Sequence, residues 1–395
     1  MSRILDEDNR KLFGLSVLIF GALLTLPFLG LGHFYTRGEP REALVAVAMM
    51  EQGNYVLPMF QGEMAFKPPM LHWLVALFSL PQGYVSEFTA RMPSAIAFIL
   101  MSFGFFRFFS RRYPVFRVFL ATLILMTTFE VHRSAMTCRV DMVLTAFMVG
   151  GFLALYRWSE QDYKGMPWVA SLLISGAILT KGPVGAILPC FALAVYMALG
   201  CRRLMQIVAA LLKVSLLSAI LPLCWYFAAY QIGGDHFLRL VMEENFGRFL
   251  GKMTYESHEH GALYNVPMLL SGIVPWSLLL ALGLFAVNWK RLGFSWIKKL
   301  WSRFREMDQV RKWAILVAVC VFVFYCIPKS KRSVYLLPLY PFLSLLIAEY
   351  VIYMLREHKR LFRLYGVFIA VVGCLFSVLL IAVHLVDLSI LGDSR

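Results

Sequence analysis

The sequence predicts an all-α polytopic membrane protein with about eleven transmembrane helices. Hydrophobic residues make up 60% of the 395 and charged residues only 15%, where soluble globular chains carry about 25% charged residues. The mean hydropathy is +0.70. Apolar runs of the roughly 20 residues that a bilayer crossing needs recur from end to end.

The first run, residues 12–31, follows a charged start and lacks a small-residue cleavage site, so it reads as a retained helix. Further spans are expected at residues 91–109, 115–131, 141–158, 167–180, 183–199, 207–230, 266–287, 313–327, 334–355 and 364–386. The two runs flanking Lys181 are short for full crossings and suit tilted or re-entrant helices. Residues 70–80 are apolar but only 11 long, which suits an interfacial helix. Most of the seven cysteines lie inside apolar runs and none forms a C-x-x-C pair, which argues against a disulfide framework or zinc ribbon.

The net charge of +15 has two readings, a nucleic-acid patch or the cation excess of cytoplasmic loops. The basic residues sit in short clusters between apolar runs, so the second holds. With the N-terminus in the cytoplasm, 24 of the 38 Lys and Arg fall on the cytoplasmic side. Residues 70–80 must then not span, because a crossing there would turn Arg111 and Arg112 outward. The outer side receives three polar loops, at residues 32–69, 132–139 and 231–265, and cation-bearing corners at Lys181 and Lys329 to Arg332. The long basic loop 288–312 faces the cytoplasm. No Walker A sequence and no 20–50 residue repeat is present, so an ATP-driven pump has no support.

The outer loops hold the residues that could carry chemistry. In the first, Glu39 and Glu42 lie three apart with Arg37 and Arg41 interleaved. Pro40 suits a helix starting there and running to about Glu51. Ala43, Val47 and Met50 recur at helical spacing along a membrane-facing stripe. Further on, Pro68 and Pro69 hold Lys67 extended, ahead of His72 and Trp73, where an ammonium can meet a lipid phosphate. Asp141 stands at the mouth of an apolar run. It either caps that helix or faces a polar cavity, because a carboxylate facing hydrocarbon is costly. Lys181, Lys331 and Arg332 lie on the same predicted side. Cations grouped round carboxylates at a membrane surface suit a phosphorylated substrate and an acid–base residue. Residues 256–260 carry Glu256, His258, Glu259 and His260, a possible ligand set for a divalent ion whose spacing matches no established pattern.

Taken in order, these landmarks resemble the membrane-embedded GT-C glycosyltransferases. The closer likeness is to the superfamily of lipid A aminoarabinose transferases and protein O-mannosyltransferases. They are Gly38-Glu39-Pro40-Arg41, Phe66-Lys67-Pro68-Pro69, Val140-Asp141, Leu179-Thr180-Lys181-Gly182, Glu243 to Phe249, His258 followed by Val266-Pro267, Pro275-Trp276, and Ser330-Lys331. The resemblance spans nearly the whole chain. It implies one GT-C domain over residues 1–395, with interfacial helices in a first outer loop at 32–81 and without the soluble C-terminal domain of longer relatives.

The resemblance further implies sugar transfer from a polyprenyl (undecaprenyl) phosphate carrier to a lipid A, envelope glycan or protein acceptor. The site would lie on the periplasmic face of a bacterial inner membrane. Lys67, with Arg41, would bind the carrier phosphate, aided by Lys181, Lys331 and Arg332. Asp141 would be a catalytic acid. Gly38 stands where the family carries a first-loop Asp, so Glu39 or Glu42 would take its place. The carrier phosphate is already a leaving group, so no cofactor is required. A metal at His258 stays open, since Phe66 replaces an acid that the aminoarabinose transferases have before the lysine. Membrane lipids are expected partners, nucleic acid is not. The rival reading is a polyprenyl-linked sugar flippase or transporter, which predicts ionisable residues near the bilayer midplane and repeat symmetry between halves.

Overall fold

The computed structural model describes residues 2–34, 36, 38–244, 260–286, 296–328 and 330–392. These are helical apart from short connections and one two-stranded hairpin. Among them, seven helices are long and apolar enough to cross a membrane, or nine if each of two bent pairs is one span. Three shorter apolar helices, Met70–Ser79, Trp168–Lys181 and Val184–Leu199, accompany them.

Helix α1 (Ser2–Thr25) is followed by α2 (Gly38–Gln52), the hairpin of β1 (Met59–Phe60) and β2 (Glu63–Met64), and α3 (Met70–Ser79). The hairpin turns through Gln61 and Gly62, both at positive φ (52° and 82°), as a two-residue turn requires. Then come α4 (Glu87–Phe109), α5 (Val115–Met126), α6 (Phe129–Ala135), α7 (Val140–Glu160), α8 (Trp168–Lys181), α9 (Val184–Leu199) and α10 (Leu204–Met242). Beyond residue 260 lie α11 (Asn265–Gly272), α12 (Trp276–Gly283), α13 (Trp296–Glu306), α14 (Gln309–Cys326), a 3-10 turn (Ser333–Leu339), α15 (Tyr340–Glu357) and α16 (Lys359–Gly392).

Local chemistry sets several boundaries. Ser86 opens α4 with a reciprocal capping box to Thr89. Gly182, at φ 81°, ends α8 in a conformation that a side chain would strain. Three residues on, a Cβ on Gly185 would lie 2.5 Å from the Ala177 backbone, so α8 and α9 touch backbone to backbone. In the largest of three apolar clusters α7 packs between α4 and α8.

Four expectations need correction. The span at 115–131 is broken: α5 and α6 meet at 66° across Thr127 and Thr128, whose hydroxyls bond the carbonyls of Leu123 and Ile124. The span at 266–287 is α11 and α12, bent by 109° before Pro275. Much of the loop at 231–265 is helix, since α10 runs to Met242 with a break at Gly234. On α2, Ala43 and Ala46 rather than Val47 and Met50 form the packed stripe, against Leu71 and Val75 of α3. The helix thus faces protein on that side.

The predicted sidedness is mirrored in the contacts. Residues assigned to one side meet one another: Arg112 with Glu160, Arg202 with Asp162, and Tyr113 with Asp308. At the opposite end of the bundle Asp141 meets Lys181.

Candidate active site

Asp141 is the centre of the first of two polar cavities. It lies in the first turn of α7 and is 4% exposed. It does not cap the helix: Arg139 holds the N-cap position, and no side-chain cap bond forms. Instead Lys181 Nζ, from the end of α8, donates to Asp141 Oδ1 at 2.5 Å, and Arg139 Nε lies 3.6 Å from Oδ2. Lys181 also sits 4.4 Å above the Tyr335 ring. Asp141, Arg139, Arg133, Lys331 and Arg332 line a cavity of about 270 Å³ together with Thr36.

The other cations there are held differently. Lys331 is 3% exposed, and its ammonium donates to the carbonyls of His260 (3.1 Å) and Pro328. Among the described residues no carboxylate pairs with it. A buried ammonium with three donors and two carbonyl partners has one donor left for an anion. Arg133 is neutralised by Glu130, which is buried and also accepts from Ser333 Oγ at 3.1 Å. The Arg332 guanidinium has no hydrogen-bond partner among the described residues.

A second cavity, about 550 Å³, is lined by Arg41, Glu42, Lys67 and His72 with the hairpin residues Gln61 and Glu63. His72 Nε2 lies 2.8 Å from Glu42 Oε2, and Lys67 Nζ lies 3.9 Å from Oε1. His72 is 2% exposed. Burial alone would push the Glu42 carboxyl up. The His72 hydrogen bond, with the charges of His72, Lys67 and Arg41, outweighs it and brings the group down to about 2.

A carboxylate depressed on folding stabilises the fold above its unfolded value and loses that contribution as pH falls through the folded one. Glu42→Gln is therefore expected to lower stability at pH 7 by on the order of 3 kcal/mol. The gap to wild type should narrow below about pH 4.5 and close towards pH 2. Unfolding of both proteins in detergent across that range measures it, and a pH-independent gap contradicts the assignment.

Glu39 joins the two cavities structurally. Its side chain is fully buried. Arg91 Nε donates to Glu39 Oε1 at 3.0 Å, as does the Cys138 amide at 3.0 Å, and the Thr36 amide reaches Oε2 at 3.4 Å. Arg91 gives three further donors to the carbonyls of Leu29, Gly32 and His33. Glu39 thereby ties the start of α2 to residues 137–139, which border the Asp141 cavity, while the next turn of α2 supplies Arg41 and Glu42 to the other cavity. Burial, with the Glu42 and Glu39 carboxylates nearby, pushes the Cys138 thiol far up, so it is no nucleophile.

Gly38 has a reason of its own. A Cβ there would lie 2.2 Å from Arg139 Nη1. The guanidinium occupies the space a side chain would take. Gly38→Ala is expected to displace Arg139 from Asp141 and lower turnover about tenfold, at a cost in stability under about 1 kcal/mol, because the clash is with the end of a flexible side chain. Kinetics and unfolding of this variant, side by side, check both halves.

The sequence thus named Glu42, Arg41 and Lys67, which meet in one cavity, and Asp141, Lys181, Lys331 and Arg332, which meet at the other. It did not single out Arg91, Arg139, Arg133 or Glu130. The available signal was an ionisable residue inside or at the mouth of an apolar run, which needs a partner. His258 and Arg37 lie outside the described residues. Among the described residues no three of His, Cys, Asp and Glu converge to hold a metal ion.

The dolichyl-phosphate-mannose-protein mannosyltransferase family model matches residues 66–226, which include Lys67, Asp141 and Lys181. An undecaprenyl phosphate-alpha-4-amino-4-deoxy-L-arabinose arabinosyl transferase of Shewanella sediminis is 26% identical over 353 residues, 88% of this chain and 61% of the relative. An uncharacterised protein of Aquifex aeolicus is 29% identical over 84% of this chain and 73% of its own length. Among solved structures, ArnT from Cupriavidus metallidurans bound to undecaprenyl phosphate matches with a TM-score of 0.73 at 19% identity, over 91% of this chain and 63% of that one. The Archaeoglobus fulgidus oligosaccharyltransferase matches at 0.53 and 12% identity, over 88% and 51%. The chain has the GT-C fold. It spans less than two thirds of the length of the arabinosyl transferase. Within the GT-C fold, the Asp141 cavity lies at the end of the bundle where the first long loop, residues 32–69, packs down.

Proposed function

We propose that this GT-C protein transfers a sugar from a polyprenyl phosphate carrier to a hydroxyl or phosphate of lipid A, another envelope glycan or a protein. The reaction would take place on the periplasmic face of a bacterial inner membrane. The observation that carries this reading is Asp141 held by Lys181 and Arg139 in a cavity that also contains Lys331 and Arg332. The relative named as an undecaprenyl phosphate sugar transferase, and the ArnT structure bound to undecaprenyl phosphate, support the class of donor.

In this mechanism Lys67 and Arg41 bind the carrier phosphate. As the bond from the sugar carbon to the phosphate oxygen breaks, charge grows on that oxygen and the preplaced cations stabilise it. The acceptor oxygen forms the new bond to the sugar carbon, and Asp141 takes its proton. Direct displacement inverts the anomeric configuration, which the product reports. Glu42 lies 2.8 Å from His72 Nε2 and 3.9 Å from Lys67 Nζ, and its role is to orient both. Glu39 is assigned a structural role.

Purified protein in liposomes with radiolabelled polyprenyl-phosphate sugars tests the reading. Acceptor-dependent release of free polyprenyl phosphate is expected. Lys67→Ala should raise the donor KM tenfold or more, since a hydrogen bond to a charged group contributes about 1.5–3 kcal/mol. Carrier crossing the bilayer without sugar transfer would overturn it.

A further inference from the structure

A separate groove lies at the opposite end of the bundle from Asp141. Arg157 follows Asp141 on α7 by sixteen residues, on the order of 24 Å along the helix. Around it the ends of α4 and α7 and the start of α8 enclose a groove of about 540 Å³. Its wall is mainly apolar, with Gly104, Leu153, Trp168 and Leu173 among the lining residues, and its rim carries Arg107, Arg111, Arg112 and Arg157.

Charge at this rim is unbalanced. Arg112 is neutralised: its guanidinium forks onto both oxygens of Glu160 (3.0 and 2.6 Å) and stacks on Phe108 at 3.9 Å. The guanidinium groups of Arg107, Arg111 and Arg157 have no carboxylate or hydrogen-bond partner among the described residues. Solvated arginines that merely set topology need no apolar groove beside them. Here three free guanidinium groups border a mainly apolar cleft of about 540 Å³, next to Trp168, an indole of the kind enriched at membrane interfaces. Gly104 leaves the cleft open, since a Cβ there would meet nothing within 4 Å.

We propose that this groove binds an anionic phospholipid of the surrounding leaflet, its phosphate on Arg107, Arg111 and Arg157 and one acyl chain along Gly104, Leu153 and Leu173. Basic pockets between membrane helices take anionic headgroups by charge, and the apolar wall adds burial of the chain. The site is separate from the Asp141 chemistry and does not depend on it.

Native mass spectrometry of the full chain, incubated with phosphatidylglycerol or phosphatidylcholine in detergent, tests this. Wild type should retain phosphatidylglycerol at least fivefold over phosphatidylcholine. The double variant Arg111→Gln/Arg157→Gln should lose that preference. Gly104→Leu, which keeps every charge and fills the cleft, should lower phosphatidylglycerol retention at least fivefold. Arg363→Gln, on an exposed arginine outside the groove, should leave it unchanged. Millimolar glycerol phosphate should not compete, because it lacks the chain. Equal retention of the two lipids, loss in Arg363→Gln, full retention in Gly104→Leu, or displacement by glycerol phosphate would each overturn the proposal.

Discussion

Asp141→Asn is expected to lower turnover by about 10²–10⁴-fold, the range that loss of a general base produces. The substitution keeps shape and removes charge. Its structural cost is limited because the cations left behind are partly solvated: the side chains of Lys181 and Arg139 are 22% and 26% exposed. The donor KM should change little, because Lys67 and Arg41 line the other cavity. Loss confined to kcat marks an interaction made only in the transition state. Initial rates in proteoliposomes over a range of donor concentrations separate the two parameters. Turnover within tenfold of wild type would remove Asp141 from the chemistry.

The fold was legible because bilayer crossing leaves a coarse, redundant signal, long apolar runs and cations biased to one side. Where helices break was less legible. Thr127 and Thr128 are unremarkable in sequence, yet their hydroxyls serve carbonyls at the α5–α6 bend. The site was legible by residue type and side and illegible by pairing. Lys181 and Asp141 are 40 positions apart, Arg91 and Glu39 52. Nothing in spacing links them, because tertiary packing of α7 on α8 and of α4 on the first loop makes the pairs. For the same reason the sequence gathered all the cations round one substrate, whereas they divide between two cavities. The choice between Glu39 and Glu42 needed burial, since both stand one helical turn apart on the same short helix.

Glu39→Gln should destabilise the fold by about 3–5 kcal/mol, as breaking one partner of a buried ion pair does. The amide leaves the Arg91 guanidinium, 1% exposed, without its counter-charge. It also turns an acceptor-only group that takes the Cys138 and Thr36 amides into one carrying two donors of its own. The double variant Glu39→Gln/Arg91→Met should recover only part of the loss. Removing the arginine relieves the unpaired charge but orphans the Leu29, Gly32 and His33 carbonyls that it satisfies. Unfolding in detergent measures both, and turnover per folded molecule completes the test. A structural Glu39 predicts a fragile variant whose folded fraction still transfers sugar. A Glu39→Gln protein as stable as wild type and inactive would mean that the carboxylate reaches the substrate, and that residues 36–39 open to admit it.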